Sequence, residues 1–239
     1  MSELNETLTV SVIIPALNEA AGIGVVLAAI PSACVDEVIV VDGGSTDDTV
    51  AIALQAGARV VVEKQRGYGR ACAAGVAAST SDVIVFLDAD GADDPSQIEE
   101  LLVPIQTDKA DMVLGSRLAG EIASGSMPLH QHFGNWLSAF LFRMLYNLPI
   151  TDLSPFRAVK RTALLELDMQ EMTYGWPTEM IAKAFRHGLC IVEAPVNYRP
   201  RIGGKSKISG TLRGTMLATW HILGGIVHYR FKRLPKAEA

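Results

Sequence analysis

The chain has 239 residues, of which 49% are hydrophobic and 20% are charged, and its formal net charge is −5 at pH 7. These proportions are ordinary for a globular protein, and the length allows one α/β domain or two small ones. The negative net charge argues against a nucleic-acid partner. The three cysteines lie far apart and form no C-x-x-C, which argues against a disulfide framework and a zinc site.

Strands and helices are predicted to alternate along the first half of the chain. Apolar or alternating segments predict strands at residues 7–15, 37–42, 58–63, 83–87 and 110–115. Helices are predicted between them from apolar residues at helical spacing and from end signals, such as Asp94-Pro95 before a helix through Gln106. This alternation predicts an α/β fold with a mostly parallel sheet flanked by helices.

Polar residues follow four of the predicted strands at the point where each strand ends. They are Asn18 and Glu19 after the first strand, Asp42 at the end of the second, Asp88 and Asp90 after the fourth, and Arg117 after the fifth. Open α/β sheets bind ligands at this edge. Two carboxylates one residue apart suit Mg²⁺ or Mn²⁺, whose coordination is completed by substrate phosphates. We therefore expect a site for a metal-bound nucleotide, although an isolated D-x-D is equally typical of a solvated turn or a helix cap.

A dinucleotide-binding oxidoreductase is the competing class, because it also combines a parallel sheet with a glycine-rich turn. The turn after the first strand, residues 15–19, contains no glycine. The segment that begins Gly67-Tyr68-Gly69 has Cys72 where the third glycine of the fingerprint belongs. The glycine pattern therefore disfavours this class.

These segments resemble family 2 glycosyltransferases with a GT-A fold, and within that family the dolichol- or polyprenyl-phosphate mannosyl- and glucosyltransferases. The resemblance spans about residues 10–210 and rests on Ile14-Pro15-Ala16-Leu17-Asn18-Glu19, Val41-Asp42-Gly43-Gly44-Ser45-Thr46-Asp47, Asp88-Ala89-Asp90, Gly115-Ser116-Arg117 and Gly204-Lys205-Ser206-Lys207. One position departs from the family pattern. Ala92 stands where such enzymes often carry a glutamine that helps to hold the metal, so Asp93 or Asp94 is a candidate substitute.

The resemblance implies a set of donor-site residues. The predicted nucleotide-sugar contacts are Pro15, Ala16, Asn18, Glu19, Asp42, Gly69, Asp88, Ala89, Asp90 and Lys205. Asp88 and Asp90 are the predicted ligands of Mg²⁺ or Mn²⁺, and Asp90 is also a predicted catalytic residue. Arg117 is expected on the acceptor side of the reacting centre, as a catalytic residue and as a contact to the acceptor phosphate.

Two further carboxylates are second-rank candidates for catalysis. Asp152 lies in a D-x-x-x-F-R block that resembles one near the family's reacting centre, and a turn aspartate is its alternative interpretation. Glu179 begins a predicted helix that ends at Gly188, so it could equally be a first-turn carboxylate that complements the helix dipole.

Cations that follow the predicted sheet are candidates for the acceptor phosphate. His132 lies in the segment 120–134, which is turn-rich and predicted to be a mobile loop. Arg201, Lys205 and Lys207 belong to a basic run broken by glycines, and backbone and ammonium groups in such a run can surround a phosphate. A solvated charged surface is the ordinary alternative for this run.

Two apolar segments could be either packed helices or lipid-facing ones. Leu137, Phe140, Leu141, Met144, Leu145 and Leu148 form a helical stripe, which is typical of a helix packed on the sheet. Residues 215–227 are apolar over too short a span to cross a membrane. Trp220 and Tyr229 with Arg230, Lys232 and Arg233 suit a helix at a membrane surface, and docking on the protein body explains the apolar residues equally well.

We therefore predict one GT-A domain, residues 1–210, with a nucleotide-binding half at about 8–117 and an acceptor half at about 118–210. Residues 211–239 are predicted to form a basic, amphipathic helical tail. Residues 1–6 are polar and acidic, unlike a signal peptide, so the expected location is cytoplasmic or at the cytoplasmic face of a membrane.

The expected activity is one metal-dependent, inverting transfer of a hexose from a UDP- or GDP-sugar to a polyprenyl phosphate. A phosphate monoester is already largely dianionic at neutral pH, so it needs positioning more than a base. The chain also lacks the Q-x-x-R-W signature of processive relatives. Transfer to a soluble small acceptor, with Asp152 or Glu179 as base, is the alternative within the enzyme class. A non-catalytic nucleotide-sugar-binding protein is the alternative from another class.

Overall fold

A computed structural model describes residues 8–203 and 212–232 of the chain. The strands of this part are β1 (Val10–Ala16), β2 (Glu37–Asp42), β3 (Arg59–Val62), β4 (Val83–Phe86), β5 (Met112–Ser116), β6 (Arg157–Lys160) and β7 (Ile191–Pro195). The helices are α1 (Ala20–Ala29), α2 (Thr49–Gln55), α3 (Tyr68–Ala78), α4 (Ile98–Gln106), α5 (Leu129–Tyr146), α6 (Arg161–Glu166), α7 (Trp176–Arg186) and α8 (Leu212–Phe231). The five strands predicted in the first half are all present, with ends shifted by a few residues.

The strands form one mostly parallel sheet in the order β3-β2-β1-β4-β6-β5-β7. The predicted α/β class with flanking helices is therefore confirmed. β6 runs antiparallel between β4 and β5, and β7 pairs in parallel with β5. Neither β6 nor β7 was predicted from the sequence. The insertion of β6 means that the fourth and fifth predicted strands are not neighbours.

Strand β4 is apolar throughout because helices cover both faces of the sheet. Ile84 and Phe86 pack with α3 on one face, in a core that includes Cys72 and Val76. Val83 and Val85 belong to the core on the opposite face, which includes Leu101 and Leu102 of α4. Successive side chains of β4 therefore pack into two separate cores, one on each face of the sheet.

Helix α5 is longer and more exposed than the sequence pattern suggested. It begins at Leu129, so the segment 129–134 is helical and not part of a loop. Its buried residues are Ser138, Ala139, Phe142 and Tyr146, whereas Phe140 and Met144 of the predicted packed stripe are exposed. That part of the prediction was wrong because this helix is apolar on both of its faces, so periodicity could not determine which face packs.

Helix α8 packs against the body of the protein through its C-terminal half. The Tyr146 hydroxyl donates to the Ile226 carbonyl oxygen at 2.7 Å, and Arg230 Nε donates to the Leu145 carbonyl oxygen at 2.6 Å. Tyr229 is buried, so it does not lie at a membrane surface, whereas Trp220 is exposed. No helix in residues 8–203 and 212–232 is long and apolar enough to cross a membrane.

The approach of α3 to the sheet predicts opposite effects for two glycine-to-alanine substitutions. Gly75 of α3 packs directly on the Ile13 side chain, and a Cβ there would also lie 3.1 Å from Val41 Cγ2. We expect Gly75→Ala to lower the free energy of unfolding by about 1–3 kcal/mol through overpacking. The matched control is Gly224→Ala in α8, where a Cβ would have no neighbour within 4 Å. It should raise stability by up to about 1 kcal/mol through helix propensity. Urea denaturation of both variants measures the difference, and equal effects would contradict this packing.

Candidate active site

Two adjoining cavities open at the carboxyl ends of the parallel strands, and they share four residues. The larger cavity has a volume of about 390 Å³ and the smaller cavity about 200 Å³. Tyr68, Asp88, Asp90 and Tyr174 line both. The larger cavity is otherwise lined by Pro15, Ala16, Leu17, Glu19, Gly43, Glu63, Gln65, Arg66, Gly67, Ala71, Ala89 and Arg201. The smaller cavity is otherwise lined by Ala92, Asp93, Arg117, Gln131, Leu153, Pro155, Pro177, Tyr198 and Ile222.

The loops after β1 and β2 are locked together beside the larger cavity. Asp42 is buried and accepts hydrogen bonds from the backbone amides of Gly44, at 3.0 Å, and Ser45, at 3.1 Å. Asn18 has a left-handed backbone, with φ of 51°, and its Oδ1 accepts from the Thr46 amide at 2.8 Å. Asp42 and Asn18 therefore shape the turns, while Pro15, Ala16 and Glu19 face the cavity. Their predicted contacts to the nucleoside stay predictions.

Asp88 and Asp90 stand where the two cavities meet. Asp88 Oδ1 accepts from the Tyr68 hydroxyl at 3.3 Å, and Asp90 Oδ1 accepts from the Ala92 amide at 2.9 Å. Burial, followed by the negative charge of Asp90, raises the pKa of Asp88 to about 7. A divalent cation between these carboxylates would relieve that repulsion, and hard oxygen ligands suit Mg²⁺ or Mn²⁺. The described residues contain no cluster of three metal-ligating side chains, so substrate oxygens and water would complete the shell.

Arg117 is held by a buried ion pair with Asp152. Arg117 Nε lies 2.8 Å from Asp152 Oδ2, and Nη2 lies 2.7 Å from Oδ1. The backbone amide of Arg117 donates to the same carboxylate at 2.9 Å, and the guanidinium stacks 4.9 Å from the Tyr198 ring centroid. Arg117 therefore lines the smaller cavity in a fixed orientation. Asp152 is fully buried behind it and lines neither cavity.

Glu179 organises a loop and does not face either cavity. Its carboxylate is fully buried, accepts from the backbone amides of Gln170 and Glu171, and pairs with Lys183 at 2.8 Å. The loop held in this way, residues 170–173, packs on the turn at the start of α3. The Arg70 amide donates to the Met172 carbonyl oxygen at 3.1 Å. The structure thus places Glu179 and Asp152 as supports, and their predicted catalytic roles stay untested.

The remaining predicted residues are dispersed around the site. Arg201 lies on the larger cavity, where it pairs with Glu19 at 3.2 Å and lies 3.6 Å from Asp90. Gly69 allows the close approach of α3 to the loop 170–173 and lines neither cavity. His132 lies in the first turn of α5, away from the lining, whereas neighbouring Gln131 faces the smaller cavity. Lys205 and Lys207 lie outside the described residues.

Asp93 and Asp94 have different environments, although both were candidates to replace the missing metal-binding glutamine. Asp94 caps the short 3₁₀ turn before α4 and pairs with Arg199, and it lines neither cavity. Asp93 is 3% exposed and faces the smaller cavity. Asp93, Tyr198 and Tyr174 were not predicted from the sequence as acceptor-site residues. The acidic pair Asp93-Asp94 was the only sequence feature that pointed to Asp93.

The chain belongs to glycosyl transferase family 2, whose model matches residues 11–167. The resemblance to family 2 inferred from the sequence is therefore confirmed, and the protein is a glycosyltransferase. An uncharacterised glycosyltransferase of Mycobacterium tuberculosis is 40% identical over 209 residues, which are 87% of this chain and 94% of that relative. The undecaprenyl-phosphate mannosyltransferase of Micrococcus luteus is 33% identical over 140 residues, which are 56% of each chain.

A solved structure shares the whole architecture. Glucosyl-3-phosphoglycerate synthase from Mycobacterium tuberculosis, in complex with Mn²⁺, uridine diphosphate and phosphoglyceric acid, matches with a TM-score of 0.76 at 25% sequence identity. The match covers 96% of this chain and 80% of that one. This agreement confirms the GT-A fold expected from the sequence.

The ion pair beneath the smaller cavity predicts a large loss of stability when it is broken. We expect Asp152→Asn to lower the free energy of unfolding by about 3–5 kcal/mol, because it removes the close ion-pair partner of the buried Arg117. The control is Asp108→Asn, which breaks a pair between Lys160 and an 89% exposed carboxylate. That change should stay within about 1 kcal/mol. Chemical denaturation of both variants provides the comparison, and a loss for Asp152→Asn as small as the control's would rule out a structural role for the pair.

Proposed function

We propose that this glycosyltransferase moves one hexose from a metal-bound nucleoside diphosphate sugar to a hydroxyl group of a small acceptor. The observation that carries the proposal is the junction of the two cavities at Asp88 and Asp90. A donor bound in the larger cavity would present its anomeric carbon to an acceptor in the smaller one. Holding two substrates in the correct relative orientation supplies much of the rate enhancement of a two-substrate reaction.

Uridine diphosphate with Mn²⁺ is the proposed donor chemistry. It is supported by the glucosyl-3-phosphoglycerate synthase complex, which contains both. In this chain the two carboxylates after β4 are the residues that would hold the metal, and the larger cavity extends from them toward the loops after β1 and β2. When bound, the metal neutralises the charge that develops on the diphosphate leaving group.

The charges of the smaller cavity favour a hydroxyl over a phosphate as the nucleophile. Among the described residues that line it, Asp88, Asp90 and Asp93 carry carboxyl groups, and Arg117 is the cation. Arg117 is already paired with Asp152 at two atoms. When a phosphate monoester is itself the nucleophile, its one to two negative charges at neutral pH would meet these carboxyl groups at the reacting centre. A neutral hydroxyl would not.

Attack from the smaller cavity, with departure of the nucleotide into the larger one, would invert the configuration at the anomeric carbon. Arg117 would position the acceptor from below, since Asp152 and Tyr198 fix its guanidinium. Tyr68 and Tyr174, which face both cavities, would contact the sugar between them. These residues orient the two substrates and limit the access of water.

Transfer to a polyprenyl phosphate at a membrane surface is the second candidate function, and an exposed apolar stripe on α5 favours it. The α5 stripe consists of Leu129, Phe133, Trp136, Phe140 and Met144, which are between 44% and 87% exposed. Their spacing places them on one helix face. The ring centroids of Phe133 and Trp136 lie 5.9 Å apart, and those of Trp136 and Phe140 lie 5.7 Å apart.

The setting of the α5 stripe is compatible with an anionic bilayer. Neither α5 nor α8 contains an aspartate or glutamate, and the two helices pack against each other. Helix α5 also supplies Gln131 to the smaller cavity, so a lipid held along the stripe would have its head group near the reacting centre. Lys205 and Lys207 are the cations predicted to compensate a phosphate in that case. The location of the protein at a membrane surface belongs to this second candidate.

The donor assignment predicts metal-dependent stabilisation by one class of nucleotide. We expect UDP or UDP-glucose with Mn²⁺ to raise Tm, since a ligand that binds only the folded state stabilises it. Asp90→Asn should abolish this shift and turnover without lowering the Tm of the unliganded protein, because this carboxylate lies outside the core. The control is Asp48→Asn, at an exposed carboxylate before α2. Unchanged turnover in Asp90→Asn would contradict the metal assignment, and stabilisation by GDP in place of UDP would change the donor.

The second candidate predicts that the α5 stripe binds vesicles. In that case the protein sediments with phosphatidylglycerol vesicles at low salt and glycosylates undecaprenyl phosphate in them. The double variant Trp136→Ser, Phe140→Ser would lose both properties. The control is Val103→Ser, an exposed apolar residue on α4. Transfer to 3-phosphoglycerate, without sedimentation or transfer to undecaprenyl phosphate, would support the small hydroxyl acceptor and eliminate the lipid one.

A further inference from the structure

We propose that Asp93 contacts the acceptor hydroxyl in the smaller cavity and takes up its proton as the glycosidic bond forms. This inference rests on the proposed transfer to a hydroxyl acceptor, and it assigns the base of that reaction. Two other carboxylates considered for the role, Asp152 and Glu179, line neither cavity and are occupied by buried partners. Asp93 differs from them in both respects.

The first observation is a buried oxygen without a partner. Asp93 is 3% exposed, and its Oδ1 has no hydrogen-bond partner among the described residues. Leaving a buried polar atom unpaired is unfavourable, so folding alone does not account for it. Because Asp93 lines the smaller cavity, an acceptor hydroxyl bound there could donate to this oxygen.

The second observation is that the backbone holds Asp93 firmly in place. Asp93 forms a β-bridge with Tyr198, and the Arg199 amide donates to the Ala92 carbonyl oxygen at 2.8 Å. A carboxylate on a fixed backbone can meet the positional demands of proton transfer. The same segment carries Asp90 three residues earlier, so the base and the predicted metal ligand are set relative to each other.

The electrostatic surroundings suit a proton acceptor. The charged and titratable groups that act on Asp93 are Arg117, Asp88, Asp90, Asp152 and Tyr198. Burial raises the pKa of Asp93 to about 8, Arg117 opposes that shift, and the neighbouring carboxylates add to it. A base whose pKa lies near the working pH transfers protons efficiently. Arg117 is engaged by Asp152, so it does not form a closed ion pair with Asp93.

The chemical step balances without another reactant. The acceptor oxygen forms a bond to the anomeric carbon while the bond from that carbon to the diphosphate oxygen breaks. The hydroxyl proton moves to the Asp93 carboxylate, and the electron pair of the broken bond leaves with the nucleoside diphosphate. Asp93 then releases the proton to water. A phosphate nucleophile would not need this residue, because its attacking oxygen carries no proton.

The test is Asp93→Asn, which keeps the shape of the side chain and cannot accept the proton. With UDP-glucose, Mn²⁺ and 3-phosphoglycerate, and separately with water as acceptor, we expect kcat to fall by about 10²- to 10⁴-fold. The Mn²⁺-dependent Kd for UDP should change by less than about threefold. The acidic limb of the wild-type pH profile, where kcat rises with pH as the base ionises, should be absent from the variant. Asp93→Glu should recover part of the rate.

The matched control is Asp94→Asn, which removes the adjacent carboxylate outside both cavities. It should keep its turnover even if the loss of the cap to Ser96 lowers its Tm. If Asp93→Asn keeps the turnover of the wild type, the role of Asp93 is overturned and the proposed function is not. Turnover confined to undecaprenyl phosphate, or no turnover with any hydroxyl acceptor, would overturn the proposed function and the role of Asp93 together.

Discussion

The arrangement of this site depends on the crowding of carboxyl groups around one guanidinium. Asp88, Asp90, Asp93 and Asp152 all act electrostatically on the region of Arg117, which forms its close ion pair with Asp152 at 2.7 Å. The remaining negative charge is therefore only partly balanced. Burial, with the neighbouring carboxylates adding to its effect, raises the pKa of Asp88 to about 7 and that of Asp93 to about 8. Such a site gains free energy from a divalent cation or from a proton donor. These are the two species that a metal-dependent transfer to a hydroxyl would bring.

The sheet produces this crowding by an insertion. β6 enters antiparallel between β4 and β5, and the segment that leads into it carries Asp152 beneath Arg117. The same segment brings Leu153 and Pro155 to the smaller cavity. The nucleotide-binding half would therefore have no fixed Arg117 without the residues of the second half. The division into halves at about residue 117 stays a prediction, but the ion pair couples them physically.

A buried carboxylate also fixes the structure beside the larger cavity. Glu179 binds the backbone amides of Gln170 and Glu171, and the loop 170–173 packs against the turn that presents Gly67 and Tyr68 to the larger cavity. Buried carboxylates that bind backbone amides fix loop positions at the cost of desolvation. Both second-rank candidates from the sequence thus serve a positioning function in the structure. The positions of Asp152 and Glu179 in the sequence did not indicate which groups these carboxylates would bind.

The sequence by itself determined the α/β class, the five strands of the first half and the polar residues at their ends. Those features follow from local periodicity and from the rule that parallel strands bind ligands at their carboxyl ends. The tertiary structure decided the antiparallel place of β6, the packed face of α5, and the contrast between Asp93 and Asp94. Each of these depends on contacts between residues far apart in the chain, such as Asp93 with Tyr198 and Arg117 with Asp152. Local patterns carry no information about such partners, because an apolar helix face or an acidic pair has the same sequence signature whether it is buried or exposed.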